Sequence, residues 1–345
     1  MVDSSVLKRL FGKGKPPGNA GPEVSPTAQS TPQPTGRLPT TESLTMTSML
    51  DAQIADLGGP IEELDPELWA ELAERVASLA NDMPALPAFP GVATRVLSMA
   101  RDPNLDVNKL CTEVQRDAGI ASTLLRVANS AAFSPASPIT TLRGAIQMLG
   151  IQQVIAIVVG GSGQAMYQVA SKADLALFPE LWLGMFKDAM GNAFVAGRIA
   201  LDVPGASSEK SLLAGLLVDV GRPIALRILS TMIQGGMERP DDAIVMAVLE
   251  DVALDVGGRA VSAMGLPEEL RSACMPDRNA PTVDAAIAQM IAAIGAVQRR
   301  SPRIWVNASE VRHWAETIKL SPLVVRSVFG QRTTYVEQAS AMFGS

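Results

Sequence analysis

The side chains that most often ligate metals or act as nucleophiles are rare in this chain of 345 residues. The one histidine is His313, and the two cysteines, Cys111 and Cys274, lie far apart in the sequence. A structural zinc site needs about four Cys or His ligands, and a multi-histidine metal centre needs several imidazoles. A disulfide framework needs more cysteines than two. The sequence therefore predicts no metal site, no disulfide framework and no cofactor.

One glycine-rich stretch resembles a loop of a nucleotide-binding protein or a hydrolase, because the apolar run 154–159 leads into Gly-Gly-Ser-Gly at 160–163. A dinucleotide-binding fingerprint needs a further glycine where Met166 stands. A nucleophile elbow centred on Ser162 needs a glycine where Gln164 stands. Both patterns fail, so we interpret this stretch as a buried helix whose glycines allow close packing.

The charge of the chain is acidic overall but uneven. There are 35 acidic and 29 basic side chains, a net charge of −6. Residues 1–40 hold five basic and two acidic side chains, a net +3, so the rest of the chain carries −9. This balance argues against binding of nucleic acid through a basic face. The apolar and basic residues at 6–15 could make weak contact with an anionic membrane or an acidic partner.

Targeting signals are not evident in the sequence. Lys8 and Arg9 interrupt the apolar residues near the start, so no signal-peptide core forms there. No apolar run approaches the roughly 18–20 residues of a spanning helix. Two unpaired cysteines fit a reducing compartment. We therefore predict a soluble cytoplasmic protein without stable membrane insertion.

The positions of proline and of apolar residues divide the chain. Prolines and small polar residues dominate residues 12–39, which predicts a disordered basic and proline-rich tail and linker over 1–43. Beyond it, apolar residues recur at three- and four-residue spacing, and alternating strand patterns are absent. The sequence therefore predicts an all-α protein. Its helices are predicted to start near Asp65, Pro90, Asp106 or Val107, Ile120, Thr141, Ile151, Pro179, Ser208, Arg222, Pro240, Asp255, Pro267, Thr282, Asn307, Ser321 and Thr333.

An ordered series of short motifs runs from about residue 83 to residue 281. The motifs are Leu86-Pro87-Ala88-Phe89-Pro90, Leu124 to Ala131, Ile139 to Ile146, Gly215 to Gly221, and Gly265-Leu266-Pro267-Glu268. Together they resemble the bacterial HDOD (HD-related output) domain, although Ala118 stands where that family usually has proline. The resemblance implies a multi-helix HD-like domain over 83–281, with an N-terminal lobe at 83–177 and a degenerate HD-like lobe at 178–281. Helical extensions are then predicted at 44–82 and 282–345.

The HDOD family is similar to the HD phosphohydrolases, whose histidines and aspartate hold metal ions. In this sequence Gly184, Val218 and Leu254 stand at the positions of the histidines, and Asp219 alone remains. Since glycine, valine and leucine cannot ligate a metal, the resemblance implies a protein that is not an enzyme. From its place before Val220-Gly221, Asp219 is predicted to cap the next helix.

Four residues of the family's central signature are predicted to be structural or to take part in interactions: Arg126, Asn129, Ser130 and Phe133. Asn129 ends a predicted helix, where an asparagine can adopt the left-handed conformation and its amide can bind loose carbonyls. The alternative for Asn129 is contact with a partner or ligand.

The resemblance implies a non-catalytic bacterial signalling module that acts by protein–protein interaction. It would be an output or scaffold domain in two-component or cyclic-dinucleotide signalling, with sensor kinases, response regulators or cyclic-dinucleotide enzymes as partners. The helical extensions are then candidate docking surfaces. The alternative is a sensor that binds a small molecule or nucleotide in the degenerate HD cavity, lined by Gly184, Val218 and Leu254 with Asp219 at its edge.

Overall fold

The computed structural model describes residues 44–60, 64–81, 91–99, 105–129, 135, 137–168, 171–266, 268–275 and 281–343. These residues form α-helices and one short 3-10 helix, and no strand occurs among them, so the predicted all-α class is confirmed. The helices are α1 (Met46–Asp56), α2 (Glu67–Leu79), α3 (Gly91–Met99), α4 (Val107–Val114), α5 (Ala118–Ala128), α6 (Leu142–Leu149), α7 (Ile151–Gly163), α8 (Lys172–Leu177), α9 (Pro179–Ile199), α10 (Ser208–Leu217), α11 (Gly221–Gln234), α12 (Asp242–Ala263), α13 (Glu268–Cys274), α14 (Val283–Gln298), α15 (Ile304–Thr317) and α16 (Pro322–Phe343). The predicted tail lies outside the described residues.

Side-chain caps start many of these helices by accepting a backbone N–H that has no partner within the helix. Thr45 and Ser48 form a reciprocal capping box before α1. Asp117 accepts from the amide of Ile120 at 3.0 Å, so α5 begins at Ala118, two residues before the predicted start. The same kind of cap is formed by Asp106, Thr141, Ser171, Ser207 and Thr282.

The helix start predicted at Asp255 is wrong, because α12 runs without a break from Asp242 to Ala263. The carboxylate of Asp255 does not cap a helix but pairs with Arg259 one turn later, at 2.7 Å. A second predicted start, at Thr333, is also wrong. There α16 continues because Val328, Phe329 and Tyr335 recur at helical spacing and are buried as one stripe.

Two groups of helices form the part of the fold that the HDOD resemblance covers. In the N-terminal group, α7 packs against α3, α5 and α6, and its apolar residues 154–159 are buried. In the second group, α9 packs against α10 and α11 against α12. Contacts between α7 and α10 join the two groups. The stretch 154–159 is therefore the buried helix that the sequence predicts.

The helices outside the motif region pack into the same core. Helix α1 contacts α15 and α16, and α2 contacts α11 and α12. Helix α14 lies against α9, α10 and α13, and α16 lies against α9. Leu50, Val76, Ile291 and Val328 are among the buried residues that these helices contribute. The C-terminal helices therefore help to shape the surface at which the candidate site forms.

Among the described helices, none alone is long and apolar enough to cross a membrane. The pair Leu142–Leu149 and Gln153–Gly163 reaches that length and composition only together, and it is bent by 113°.

Candidate functional site

A cavity of about 200 Å³ lies where the ends of α10 and α11 meet α12, α14 and α15. Val218 and Asp219 line it from the segment between α10 and α11, and Leu254 lines it from α12. Three of the four positions expected to mark a degenerate HD site are therefore brought together. The other side chains around the cavity include Arg222, Glu250, Asp251, Gln289, Arg299, Arg303, Val306, Asn307 and Glu310.

Gly184 does not line this cavity, contrary to the expectation from sequence. It lies in α9, and among the described residues no atom outside its own stretch of helix comes within 4 Å of the place where a Cβ would stand. Leu254 is 38% exposed, so it lies at the rim of the cavity. Val218 and Asp219 are buried and form its inner wall.

Asp219, which lies between α10 and α11, binds a residue of α9 and does not cap α11. The residue before α11 is Val220, and no side chain caps this helix, so the prediction that Asp219 does so is wrong. Its Oδ2 instead accepts a hydrogen bond from Nδ2 of Asn192, in α9, at 3.2 Å. Asn192 is fully buried, so this bond satisfies a polar group that would otherwise be costly inside the protein.

Behind the cavity, Asp188 meets guanidinium groups from three separate parts of the chain. Its carboxylate oxygens lie 2.9 Å from Nη2 of Arg332, 3.0 Å from Nη1 of Arg299 and 4.0 Å from Nη1 of Arg222. Burial alone would raise the pKa of Asp188, but these three positive charges outweigh it and lower the pKa to about 2. Asp188 is therefore ionised at any pH near neutral.

Arg332 extends this network from α16 to Asn192. Its Nε donates to Oδ1 of Asn192 at 2.8 Å, and its Nη1 donates to Oε1 of Gln298 at 2.9 Å. Asp188, Asn192 and Arg332 are not among the site residues predicted from the sequence. No local signal marks them, because Asp188 and Arg332 are 144 residues apart in the chain.

Most of the charged groups in the cavity wall have partners within the protein. Glu250 lies 3.6 Å from Arg299 and accepts from Nδ2 of Asn307 at 3.0 Å. Arg303 pairs with Asp251 at 2.8 Å. Burial alone would lower the pKa of Arg299, but the carboxylates of Asp188, Asp219 and Glu250 raise it above the ordinary value. The wall is therefore strongly polar and densely paired.

The family profile described as "HDOD domain" matches residues 86–277, more than half of the sequence. The chain belongs to the HDOD domain family. No curated protein matches it. The resemblance found in the sequence motifs is therefore confirmed.

A solved structure shows the same fold at low sequence identity. An HDOD domain protein with unknown function from Geobacter sulfurreducens is 17% identical, with a TM-score of 0.55, over 81% of this chain and 99% of that chain. A protein from Shewanella amazonensis SB2B, whose name assigns it provisionally to the metal-dependent phosphohydrolases, is 16% identical. That match covers 81% of this chain and 98% of the other, with a TM-score of 0.46.

The residues at the HD position of this HDOD domain do not fit the metal ions that HD phosphohydrolases hold. Of the four positions, Asp219 alone has a side chain that can ligate a metal. The neighbouring guanidinium groups of Arg222 and Arg299 would repel a cation. Among the described residues, no group of three His, Cys, Asp or Glu side chains is placed to hold a metal ion.

Two of the four signature residues of the HDOD family, Arg126 and Asn129, lie on α5 and at its end, and neither lines the cavity. Asn129 ends α5, where its Nδ2 donates to the carbonyls of Leu125 and Ile139, both at 2.8 Å. Its Oδ1 accepts from the amide of Ile139 at 2.7 Å. The backbone at Asn129 has φ −90°, so it ties the loop to the helix without the left-handed conformation expected of it. Arg126 is exposed on α5, and Ser130 and Phe133 lie outside the described residues.

Proposed function

We propose that this HDOD protein is a non-catalytic bacterial signalling module that acts by binding other proteins in the cytoplasm. The observation that carries this proposal is the composition of the cavity at the HD position. Val218 and Leu254 have no ligand atoms, and the carboxylate of Asp188 behind them is neutralised by guanidinium groups of the protein itself. Without a metal to activate water, the phosphoryl chemistry of HD enzymes has no catalyst here.

The partner proteins that we propose are sensor kinases, response regulators or cyclic-dinucleotide enzymes. Support comes from the HDOD resemblance and from apolar side chains that remain exposed on the helices beyond the motif region. Trp305 and Val306 on α15 are 53% and 48% exposed, and Leu323 on α16 is 56% exposed. Tryptophan is enriched among the anchor residues of protein interfaces, so Trp305 is the main support among these side chains.

Affinity purification combined with chemical cross-linking tests this function directly. We expect the full chain to capture a signalling protein of one of these classes, and to do so less well when Trp305 is changed to Asp. Leu183→Asp is the matched control, since Leu183 is 50% exposed but lies on α9. Repeated recovery of no signalling protein would contradict the proposal. So would hydrolysis of bis-p-nitrophenyl phosphate by the purified protein with Mn²⁺.

The cavity itself favours a second function, the sensing of a small ligand. It combines the apolar side chains of Val218 and Leu254 with polar groups, as ligand sites commonly do. Its volume of about 200 Å³ is below the range of about 300–1,000 Å³ that is typical for drug-sized ligands. A thermal-shift comparison of nucleotides with smaller metabolites tests this function, because a ligand that binds only the folded state raises the melting temperature.

A further inference from the structure

Two charged groups in the wall of the cavity stand out because the protein does not pair them fully. Arg222 is 3% exposed, and among the described residues its guanidinium makes no hydrogen bond. Its one ion-pair contact is to Asp188, at 4.0 Å. Burial and the neighbouring charge of Arg299 lower the pKa of Arg222, and the carboxylates of Asp219, Glu250 and Asp188 offset this only in part. A buried guanidinium without hydrogen bonds is costly, so it favours a ligand that can accept them.

Asp219 offers the opposite charge from the same wall. One of its carboxylate oxygens accepts from Asn192, and the other, Oδ1, has no hydrogen bond among the described residues. Asp219 and Arg222 are three residues apart and both line the cavity, but they form no ion pair with each other. The cavity therefore presents one anionic and one cationic group, each with a hydrogen-bonding atom that the described residues leave unused.

The other features of the cavity limit the size and shape of that ligand. The cavity of about 200 Å³ lies below the range of about 300–1,000 Å³ that is typical for drug-sized ligands. It therefore favours a ligand smaller than a cyclic dinucleotide, which has two nucleosides and two phosphates. The wall also carries at least four acidic side chains against three basic ones, which disfavours phosphates. Val218, Leu254 and Val306 supply an apolar surface beside the charged groups.

We propose that this cavity binds a free α-amino acid or a closely similar small zwitterion. The carboxylate of the ligand would accept hydrogen bonds from Arg222, and its ammonium group would donate to Asp219. The side chain of the ligand would lie against Leu254 and Val306 at the rim. This inference rests on the second function proposed above, the sensing of a small ligand.

Thermal-shift measurements on the full-length protein with each of the twenty free amino acids test the proposal. We expect at least one of them to raise the melting temperature in a concentration-dependent way. Its N-acetyl form, which lacks the ammonium charge, and its carboxamide form, which lacks the carboxylate, should each bind about tenfold or more weakly, because each loses one charged hydrogen-bonded contact. Equal binding of all three forms would overturn the zwitterion assignment.

Two variants test whether the amino acid binds in this cavity. Asp219→Asn keeps an oxygen for the bond from Asn192 but removes the negative charge, and Leu254→Trp fills the rim from a partly exposed position. Both should weaken binding about tenfold or more. Leu201→Trp is the matched control, since Leu201 is 67% exposed and does not line the cavity. Unchanged affinity in both cavity variants would overturn the proposed site, and circular dichroism shows whether each variant is folded.

The thermal-shift and variant measurements also distinguish a failure of the amino-acid assignment from a failure of the proposed sensing function. If no amino acid binds but a nucleotide does, and Leu254→Trp abolishes that binding, the cavity is a sensor site and the amino-acid assignment is wrong. If no compound of either class binds, the sensing function and the inference both fail. Capture of a signalling protein in the cross-linking experiment would stand independently of either result.

Discussion

Asp188 is the carboxylate that contacts three arginine side chains in the network behind the cavity. It is shared by Arg332 from α16, Arg299 from the end of α14 and Arg222 from α11. Removing one partner of a buried ion pair is strongly destabilising, because it leaves the other charge uncompensated. Asp188 should therefore contribute to stability through its charge, and this contribution should depend on pH.

Replacement of Asp188 by Asn should destabilise the protein most at neutral pH. The pKa of Asp188 is about 2 in the folded protein, below its ordinary value of 3.8. Its ionised form therefore contributes stability above about pH 4, and this contribution is lost as the pH falls through about 2. We expect urea unfolding to show that the difference in unfolding free energy between wild type and Asp188→Asn decreases by about 2 kcal/mol from pH 5 to pH 2.

Asp202→Asn is the control for that pH series. Asp202 pairs with Arg198 at 2.8 Å, but its side chain is 72% exposed, so the pair should contribute less than about 1 kcal/mol. A difference between wild type and Asp188→Asn that does not change with pH would contradict the role given to the Asp188 carboxylate.

Asn129→Ala should loosen the loop between α5 and α6. The change removes three hydrogen bonds that tie the end of α5 to Ile139 and Leu125. Because Asn129 is exposed, water can replace some of them, and we expect a loss of about 1–2 kcal/mol in unfolding free energy. Asn129→Asp keeps the acceptor for the Ile139 amide but loses the donor. Its unfolding free energy should therefore lie between that of Asn129→Ala and that of wild type. Equal stability of Ala and wild type would contradict the role of Asn129 as a loop clamp.

At the scale of the elements, local sequence signals identified helices well and tertiary contacts poorly. The starts at Thr141 and Thr282 follow from capping by a hydroxyl within three residues, which the sequence shows directly. Asp219 was assigned to capping by the same reasoning, but its carboxylate binds Asn192 in another helix. The pairing of Asp188 with Arg332 depends on how α9 and α16 meet, and no short segment of sequence contains that information.

The packing of α11 on α12 depends on Gly221 and supports another prediction. A Cβ added at Gly221 would overlap the carbonyl oxygen of Ala253 and lie 2.7 Å from the amide nitrogen of Gly257. Since both are backbone atoms, neither can move by a change of rotamer. We expect Gly221→Ala to lower the unfolding free energy by at least about 2 kcal/mol in urea titrations.

Gly184→Ala is the matched control, because Gly184 lies inside α9 with open space around the missing Cβ. Alanine favours helix over glycine by about 1 kcal/mol, so this variant should be as stable as wild type or slightly more stable. If Gly184→Ala destabilised the protein as much as Gly221→Ala, close helix packing would not be the cause.

At the scale of the whole molecule, the C-terminal helices α14 and α16 pack against α9, and α14 and α15 line the cavity. Arg332 in α16 reaches Asp188 and Asn192 in α9, and Arg299, which follows α14, lies in the wall of the cavity. The family profile ends at residue 277, before either helix begins. The boundary predicted at residue 281 therefore marks where the similarity to the family ends. Whether residues 44–281 also fold independently can be tested directly.

A protein that consists of residues 44–281 should fail to fold cooperatively. It would lack α14, in which Ile287, Ile291 and Ile294 are fully buried, and each such side chain contributes about 1.5–3 kcal/mol on burial. It would also leave Asp188 without Arg332 and Arg299. A domain of this kind has a total stability of about 5–15 kcal/mol, so the loss of all three C-terminal helices, α14 to α16, should exceed it. We expect no sigmoidal thermal transition by circular dichroism for residues 44–281, whereas residues 44–345, which lack the predicted tail alone, should unfold like the full chain. A sharp transition in the shorter protein would show that residues 44–281 fold independently and that α14 to α16 dock onto a finished domain.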